Sequence, residues 1–266
     1  MNTKPYALIT GGTSGIGWEC ARILAARNLN LLIVSNQSEE LLKCKALLEM
    51  DFNIHVLTHF QDLSQNNAAD DLYRFCLDHK LEIEVLINNA GFFFFSEVVL
   101  VPVEKASRMI QLHIHTTSLL CVLMGRHMKE RGKGYIMNVA SIASYKDFPG
   151  IAFYAATKKF IRGFTRSLRT EMKYYGVKVT ALCPGATATN LYDPNVIDVK
   201  KGMRWGIMMT AAQVAQSGIR GMYCNKSVVV PGFLTKIMLF LSILTPHWLI
   251  YAARVKWRKL FDPHHA

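Results

Sequence analysis

The sequence lacks the patterns that mark several protein classes. Its six cysteines are scattered and form no Cys-x-x-Cys pair, so we expect buried thiols in a reducing compartment and no metal site. No low-complexity segment and no repeat at a solenoid period is present, which favours one globular α/β unit. The first predicted strand begins close to Met1 and leaves no room for a signal peptide, so we expect a cytoplasmic protein.

Acidic residues are also scarce, since 19 Asp and Glu stand against 31 Lys and Arg and the net charge is +12. Proteins that bind nucleic acid share such a balance, but no nucleic-acid-reading module accompanies the charge here. We therefore expect no nucleic-acid partner. A site for the phosphates of a dinucleotide, or a face for the headgroups of anionic lipid, would each account for the excess of positive charge.

Glycine is concentrated in one segment near the N-terminus. Residues Thr10–Gly17 read Thr-Gly-Gly-Thr-Ser-Gly-Ile-Gly, and they lie between the apolar run Tyr6–Ile9 and a helical pattern over Trp18–Arg27. A strand, a glycine turn and a helix in this order are typical of a dinucleotide-binding site. Glycine allows a tight turn and a close approach of pyrophosphate, and the helix N-terminus presents N–H groups to the phosphates.

A tyrosine and a lysine lie four residues apart in the segment Tyr-Ala-Ala-Thr-Lys. In a helix this spacing places Tyr154 and Lys158 on one face, one turn apart. A phenol is a poor acid–base group at neutral pH because its ordinary pKa is about 10, and a nearby ammonium lowers that pKa. The pair is thus suited to moving a proton to or from an oxygen.

Apolar β-rich runs alternate with helical patterns along the chain. The predicted strands are Tyr6–Thr10, Asn30–Ser35, Asn53–His59, Glu84–Asn89, Gly134–Ser141, Lys178–Cys183 and Ser227–Val230. The predicted helices are Gly15–Arg27, Ser38–Met50, Asn66–His79, Val103–Lys129, Ala152–Tyr174 and Ala211–Tyr223. This order predicts a Rossmann-like, doubly wound parallel sheet of about seven strands with helices on both faces. We expect a single domain over 1–232 and a C-terminal extension over 233–266.

Several motifs together resemble the short-chain dehydrogenase/reductase family, over about 4–189. They are Thr-Gly-x-x-x-Gly-x-Gly at 10–17, Asn-Asn-Ala-Gly at 88–91, Ser141 with Tyr-x-x-x-Lys at 154–158, and Pro184-Gly185. The resemblance implies that Ser141 binds the substrate oxygen, Tyr154 transfers the proton, and Lys158 assists Tyr154 and bonds the nicotinamide ribose. A serine hydrolase is disfavoured because no Gly-x-Ser-x-Gly elbow surrounds Ser141.

One position departs from the family pattern. Where the family has an asparagine that supports a water-linked proton path to the lysine, this chain has His113, and His115 follows two residues later. Histidine donates or accepts hydrogen bonds and titrates near pH 6.5. His113 is therefore a candidate catalytic relay with an altered pH profile. The alternative is that its ring merely packs and that water completes the path.

The resemblance also implies a nicotinamide dinucleotide site. Its candidate residues are Gly11, Thr13, Ser14, Gly15, Ile16, Gly17, Ser35, Asn36, Asp62, Leu63, Asn89, Ala90, Gly91, Tyr154, Lys158, Pro184, Gly185, Thr187 and Thr189. Because Ser35 and Asn36 stand where NAD enzymes carry an acid, NADP(H) is favoured over NAD(H). Asp62 lies either beside the adenine or in a helix N-cap region ahead of Ser64.

The C-terminal third is apolar. A substrate lid is expected over about 190–210, with apolar side chains at Leu191, Tyr192, Val196, Ile197, Met203 and Trp205. Phe92–Phe95 forms either an aromatic wall at the same mouth or part of the core. The tail is apolar over Ile237–Leu244 and Trp248–Tyr251 and then basic, a pattern typical of a segment in a membrane interface or of one packed on a partner subunit. We expect a homo-oligomer, with peripheral membrane contact through the tail as the alternative use of that segment.

These observations predict an NAD(P)H-dependent oxidoreductase that interconverts a ketone and a secondary alcohol. The apolar lid favours a lipophilic substrate such as a steroid, a long-chain acyl ketone or a 3-ketosphinganine. Two alternatives remain open. One is a regulatory protein that binds the dinucleotide without turnover, and the other is a dehydrogenase of small polar ketones.

Overall fold

A computed structural model describes residues 4–189, 203–204 and 207–256. The strands are β1 Tyr6–Thr10, β2 Asn30–Ser35, β3 Val56–Phe60, β4 Ile83–Asn88, β5 Gly134–Val139, β6 Val177–Leu182, β7 Thr187–Ala188, β8 Met209–Thr210 and β9 Val228–Val229. The helices are α1 Gly15–Ala25, α2 Ser38–Asp51, α3 Ala68–Asp78, α4 Val103–Ile110, α5 Thr117–Arg131, α6 Ala152–Met172, α7 Ala211–Tyr223, α8 Phe233–Leu244 and α9 His247–Lys256.

The central sheet has seven parallel strands in the order β3-β2-β1-β4-β5-β6-β9. The predicted doubly wound parallel sheet is confirmed. Strand order reverses between β1 and β4, which are neighbours although two strands separate them in sequence. In such sheets a crevice opens at the reversal, beyond the carboxyl ends of the strands. The glycine turn after β1 and the Asn-Asn-Ala-Gly segment at the end of β4 both lie there.

The core has two layers because successive strand side chains point to opposite faces. Ile9 packs on the face covered by α1, α2 and α7, whereas Leu8 packs on the face covered by α3, α5 and α6. Both side chains are fully buried. Full burial of such a side chain stabilises the fold by about 1.5–3 kcal/mol relative to exposure. The strands therefore read as continuous apolar runs rather than as alternating ones.

A π-helical turn over 111–116 divides the long helix that the sequence predicted over Val103–Lys129. The single-helix prediction is wrong in this respect. The turn directs His113 and Thr116 into the protein, where both are buried and where the Thr116 hydroxyl donates to the carbonyl of Leu63 at 2.8 Å. π turns of this kind interrupt α-helices often at functional sites.

Other predicted boundaries also differ from the structure, by one to three residues each. β3 begins at Val56 instead of Asn53, because the Ile54 N–H bonds the Phe52 carbonyl in a tight turn. α3 begins at Ala68 instead of Asn66, and β5 ends at Val139 instead of Ser141. Because β5 ends at Val139, Ser141 lies in the loop beyond the strand, where it lines the crevice.

A buried polar network fixes α6 against the sheet. The Asn88 amide nitrogen donates to Asn138 Oδ1 at 2.8 Å, and the Asn138 amide nitrogen donates to Thr165 Oγ1 at 2.9 Å. The Thr165 hydroxyl donates in turn to the carbonyl of Ile161. Buried polar groups joined in this way are rigid because each lost bond leaves a neighbour unsatisfied. The network holds the helix that carries Tyr154 and Lys158.

Candidate active site

The glycine turn after β1 is shaped by steric constraints. Gly11 and Gly15 have positive φ values of 63° and 53°, which side-chain-bearing residues rarely adopt. A Cβ at Gly17 would lie 2.2 Å from the carbonyl oxygen of Gly11 and 2.5 Å from the Asn89 amide nitrogen. Helix α1 can therefore approach the turn only through a glycine at position 17.

The N-terminus of α1 lines the crevice. Its N-cap residue, Ser14, makes no side-chain capping bond, and its first turn contains no acidic residue. The first N–H groups of a helix lack partners within it and carry partial positive charge. This end of the helix, together with the glycine turn, fits the pyrophosphate of a dinucleotide.

Asn89 holds the glycine turn in place. Its amide nitrogen donates to the carbonyls of Thr10 and Gly11 at 3.1 and 3.0 Å. The Thr10 hydroxyl oxygen accepts the backbone N–H groups of Asn89 and Ala90, both at 3.0 Å. Four bonds thus join the ends of β1 and β4. The Asn89 side chain lines the crevice, and its amide nitrogen bonds backbone carbonyls of the glycine turn.

Ser141, Tyr154 and Lys158 meet in the same crevice. Ser141 follows β5, and its hydroxyl oxygen accepts the Ala143 N–H at 3.1 Å, which leaves the hydroxyl proton to donate elsewhere. Lys158 lies one turn after Tyr154 on α6, and its ammonium is 5.6 Å from the centre of the Tyr154 ring. The ammonium donates to the Val139 carbonyl at 2.8 Å. Burial lowers the pKa of Lys158 to about 8.

His113 is buried and both of its ring nitrogens have partners. Nε2 accepts the backbone N–H of Phe92 at 3.3 Å, and Nδ1 lies 2.9 Å from the Thr157 hydroxyl oxygen. Because that hydroxyl donates its proton to the Tyr154 carbonyl, Nδ1 must be the donor to Thr157. The bonds therefore assign a neutral ring protonated at Nδ1. Burial and then the charge of Lys158 hold the pKa of His113 well below its ordinary value.

The phenylalanine cluster lies at the mouth of the crevice. Phe93 meets the Tyr154 ring edge to face, with centroids 4.9 Å apart, and meets Phe95 in the same manner at 4.8 Å. Phe92 lies 5.9 Å from the His113 ring. Phe92 and Phe93 line the crevice and Phe95 is 46% exposed, so these rings form a wall rather than part of the main core.

The crevice is a cavity of about 540 Å³, a size suited to a cofactor with its substrate. Every predicted site residue lines it except Gly17, which lies behind Gly11. The lining predicted residues are Gly11, Thr13, Ser14, Gly15, Ile16, Ser35, Asn36, Asp62, Leu63, Asn89, Ala90, Gly91, His113, Ser141, Tyr154, Lys158, Pro184, Gly185, Thr187 and Thr189. The apolar lid residues Leu191, Tyr192, Val196, Ile197 and Trp205 lie outside the described residues.

Sequence reasoning missed several residues of the crevice: Val34, Gln37, Gln61, Ser64, Arg108, Leu112, Val139 and Ala140. Most of them follow a strand or flank a motif, and the carboxyl-end rule would have found Gln61, which comes directly after β3. Arg108 was not predictable from its neighbours, because it reaches the crevice from α4.

Asp62 is held by a local turn and by a distant ion pair. Arg108 contacts it at 3.0 Å. Burial alone would raise the pKa of Asp62, but hydrogen bonds from Ser64 and Gln65 and the charge of Arg108 lower it. α3 begins only at Ala68, so Asp62 does not cap that helix.

The end of β2 carries hydroxyl and amide groups. The Ser35 and Thr13 hydroxyl oxygens lie 3.1 Å apart, and Ser35 Oγ also accepts the Gln37 N–H at 3.3 Å. Asn36 and Ser14 complete this corner of the crevice, and all five residues are neutral. An acid in this corner would repel a 2′-phosphate on the ribose.

Comparison with known proteins agrees with this geometry. The family model for short chain dehydrogenases matches residues 5–199. A 2-dehydro-3-deoxy-D-gluconate 5-dehydrogenase of Bacillus subtilis is 31% identical over 196 residues, which cover 73% of this chain and 76% of the relative. A very-long-chain 3-oxoacyl-CoA reductase of Caenorhabditis briggsae is 35% identical over 193 residues, which cover 70% of this chain and 60% of the relative.

A solved structure is also similar. It is a short-chain dehydrogenase from Sphingobium yanoikuyae in complex with NADPH, with a TM-score of 0.77 and 26% identity, and the match covers 86% of this chain and 88% of that one. Family match, sheet topology and crevice therefore agree with one another. The chain belongs to the short-chain dehydrogenase family, and it is an NAD(P)-dependent oxidoreductase.

Proposed function

We propose that the protein interconverts a ketone and a secondary alcohol, and that the substrate is lipophilic. The observation that supports the reaction type is the meeting of Ser141, Tyr154 and Lys158 with the glycine turn in one cavity. A proton donor, an oxygen-binding hydroxyl and a phosphate-binding turn are the groups that carbonyl reduction needs from a protein. The dinucleotide, when bound, supplies or accepts the hydride.

Each side chain then has a defined part. The Ser141 hydroxyl donates to the carbonyl oxygen of the substrate and stabilises negative charge that develops there. The Tyr154 phenol delivers its proton to the same oxygen in reduction and removes it in oxidation. The Lys158 ammonium, held by the Val139 carbonyl, stabilises the phenolate left on Tyr154 and bonds the nicotinamide ribose.

His113 acts in this scheme as a positioning residue. Its neutral ring bridges the backbone of Phe92, on the aromatic wall, and Thr157, on the catalytic helix. A protonated ring would turn Nε2 into a donor facing the Phe92 N–H, so a titrating relay would break one of the two bonds. We therefore favour packing and positioning over the relay, and the proton path then runs through water.

The walls of the mouth favour a lipophilic substrate. Phe93 covers one edge of Tyr154, and Phe92 and Leu112 also line the cavity. Apolar walls bind apolar groups because water is released from both surfaces. The Caenorhabditis relative is a very-long-chain 3-oxoacyl-CoA reductase, which supports long-chain acyl ketones. Steroids and 3-ketosphinganine share the same chemistry of a carbonyl on a large apolar body.

NADPH is the proposed cofactor of choice. The neutral corner at the end of β2 offers the Thr13 and Ser35 hydroxyls and the Asn36 amide to a 2′-phosphate. Hydrogen bonds from such donors stabilise a phosphate without a basic residue. NADH should bind the same turn through its pyrophosphate, so the preference is one of degree.

A second candidate, a dehydrogenase of small polar ketones, is supported by the Bacillus relative, a 2-dehydro-3-deoxy-D-gluconate 5-dehydrogenase. A regulatory protein without turnover is less consistent with the crevice, since Ser141, Tyr154 and Lys158 are all in place.

A panel of ketones of matched headgroup and increasing chain length tests these proposals. Consumption of reduced nicotinamide should be followed optically with NADPH and, separately, with NADH. We expect kcat/KM to rise with chain length and to be higher with NADPH. Turnover confined to short polar ketones would establish the second candidate. Bound NADPH without turnover on any member would establish the regulatory alternative.

A further inference from the structure

Helix α8 presents an apolar stripe away from the domain. Phe233, Ile237, Phe240 and Leu244 recur at i, i+4, i+7 and i+11, a spacing that places them on one face. They are 80%, 40%, 63% and 63% exposed. Only Thr235 and Leu239 of this helix are buried among the described residues, so α8 packs on the domain through a narrow seam. Several large apolar side chains that are exposed side by side mark an interaction site.

Helix α9 continues the apolar surface. Trp248 and Tyr251 are 69% and 70% exposed, and Leu249 is 45% exposed. Tryptophan and tyrosine are favoured where an apolar phase meets water, because their rings are apolar and each carries one polar group. The exposed rings therefore indicate a boundary between lipid and water more specifically than aliphatic side chains would.

The positive charge of the tail indicates that its partner is negatively charged. From Phe233 to Lys256 the sequence contains no aspartate or glutamate, and its basic residues are Lys236, Arg254 and Lys256. A second copy of the chain would bring the same positive charge to the contact, whereas an anionic surface would neutralise it. Charge complementarity thus favours anionic lipid over self-association.

The tail lies next to the active-site mouth. A Cβ on Gly185, which lines the cavity, would lie 2.8 Å from the Thr235 side chain of α8. At the other end of α8, the Lys146 ammonium donates to the Thr245 carbonyl at 2.8 Å. Lys146 belongs to the segment that follows Ser141. Whatever binds the outer face of α8 therefore approaches the cavity as well.

We propose that α8 and α9 form a docking surface for an anionic membrane interface, with the apolar stripe in the acyl boundary and the net positive charge of the segment attracted to the lipid phosphates. Binding in the plane of the interface is consistent with the described part of the chain, in which no helix is long and apolar enough to cross a bilayer. If the proposed lipophilic substrate is correct, docking places the cavity mouth where that substrate is concentrated, and this consequence rests on the proposed function.

Flotation of the full-length protein with vesicles tests the docking surface. One set of vesicles contains equal parts of phosphatidylcholine and phosphatidylglycerol, and the other contains phosphatidylcholine alone. The test variant is Phe233→Gln/Phe240→Gln/Leu244→Gln. The matched control is Val99→Gln/Leu100→Gln/Val103→Gln, which removes apolar side chains that are 86%, 63% and 82% exposed elsewhere on the surface. NADPH binding verifies that both variants are folded.

We expect the wild type and the control to float with the anionic vesicles and to bind neutral vesicles more weakly. The α8 variant should bind anionic vesicles on the order of 100-fold less tightly, since three large apolar side chains no longer enter the interface. Absence of flotation of the wild type, or equal flotation of the α8 variant, overturns the proposal. A smaller oligomer in light scattering for the α8 variant, without vesicle binding by the wild type, assigns the face to a second copy. No turnover is measured, so failure here is separate from failure of the proposed reaction.

Discussion

The floor of the crevice and the C-terminal tail are held in opposite ways. At the floor, the Thr10 and Asn89 side chains make four hydrogen bonds that join two neighbouring strands. A Cβ at Gly17 would clash with the Asn89 amide nitrogen and with the Gly11 carbonyl oxygen that accepts from it. In the tail, α8 contacts the domain through the narrow seam of Thr235 and Leu239 and exposes most of its apolar side chains. The polar groups of the first region bond to one another, whereas the second exposes apolar side chains in the described part of the chain.

The difference separates two kinds of information. Chemistry and cofactor binding depend on fixed distances, so they require particular residues with several partners each. The class of substrate and the location of the protein in the cell depend on the apolar area and the charge of its surfaces. Many different sequences can supply both. Substitutions at the floor should therefore have large and specific effects, and substitutions at the mouth should have graded ones.

Tyr154→Phe should have the largest effect. It removes the proton donor while keeping the ring that packs against Phe93, so kcat for ketone reduction should fall about 1000-fold with little change in NADPH affinity. Steady-state rates and cofactor titration measure both quantities. The control is Tyr174→Phe, which removes the hydroxyl of a ring that is 87% exposed just after α6 and should leave kcat unchanged. Equal loss in both variants would contradict the role of Tyr154.

Gly17→Ala should weaken dinucleotide binding on the order of 100-fold, because the added methyl group would lie 2.2 Å from the Gly11 carbonyl oxygen and displace the turn. Gly163→Ala, within α6, is the matched control. A Cβ there meets nothing within 4 Å, so alanine should stabilise that helix by up to about 1 kcal/mol. Titration with NADPH and thermal unfolding compare the two. Retained binding in Gly17→Ala would show that the turn is adaptable.

Asn36→Asp tests the corner at the end of β2. The substitution keeps the shape of the side chain and adds a negative charge, so KM for NADPH should rise about tenfold through repulsion of the 2′-phosphate. KM for NADH is the internal control and should change much less. An equal rise for both cofactors would place the 2′-phosphate elsewhere.

His113→Asn should change the pH dependence of stability. The pKa of His113 is lowered in the folded state, so the unfolded chain takes up the proton first as pH falls and folding stability is lost below about pH 6.5. Between about pH 7.5 and pH 5.5 the wild type should therefore lose about 1 kcal/mol more than His113→Asn. Urea unfolding at the two pH values measures this difference. His115→Asn, an exposed position two residues on, should behave as the wild type.

The kinetic profile of the same variant separates positioning from a relay. With a neutral His113, kcat of the wild type and of His113→Asn should follow pH with the same shape between about pH 5 and pH 7. A change of kcat with pH near pH 6 that is present in the wild type and absent in His113→Asn would instead support a proton relay through His113.

Much of the floor was predictable from sequence because its constraints are local. The glycine turn, the Asn-Asn-Ala-Gly segment and the Tyr-x-x-x-Lys pair each occupy a few consecutive residues. The strands that lead into the first two are largely apolar runs, and the pair lies on a helix. The parallel-sheet rule then brings Ser14, Asn89 and Ser141 to one edge, and the structure places all three in the same cavity.

What escaped prediction depends on distant partners. No proline or glycine marks the π turn over 111–116, so its segment reads as plain helix, and the tertiary bonds of His113 and Thr116 that accompany the turn are not visible in the sequence. The ion pair between Arg108 and Asp62 joins residues far apart in the chain. The two-residue strands β7 and β8 are too short to produce a periodic pattern.

A single-turnover experiment is the sharpest test of Tyr154 as the proton donor in this crevice. The protein is saturated with NADPH and mixed with a long-chain ketone, and loss of reduced nicotinamide is compared with the alcohol formed. We expect one equivalent of alcohol per bound NADPH in the wild type. In Tyr154→Phe we expect no detectable alcohol on the same timescale, although NADPH stays bound. Equal turnover in the two proteins would contradict the assignment of Tyr154 as the proton donor, and with it the arrangement proposed for this crevice.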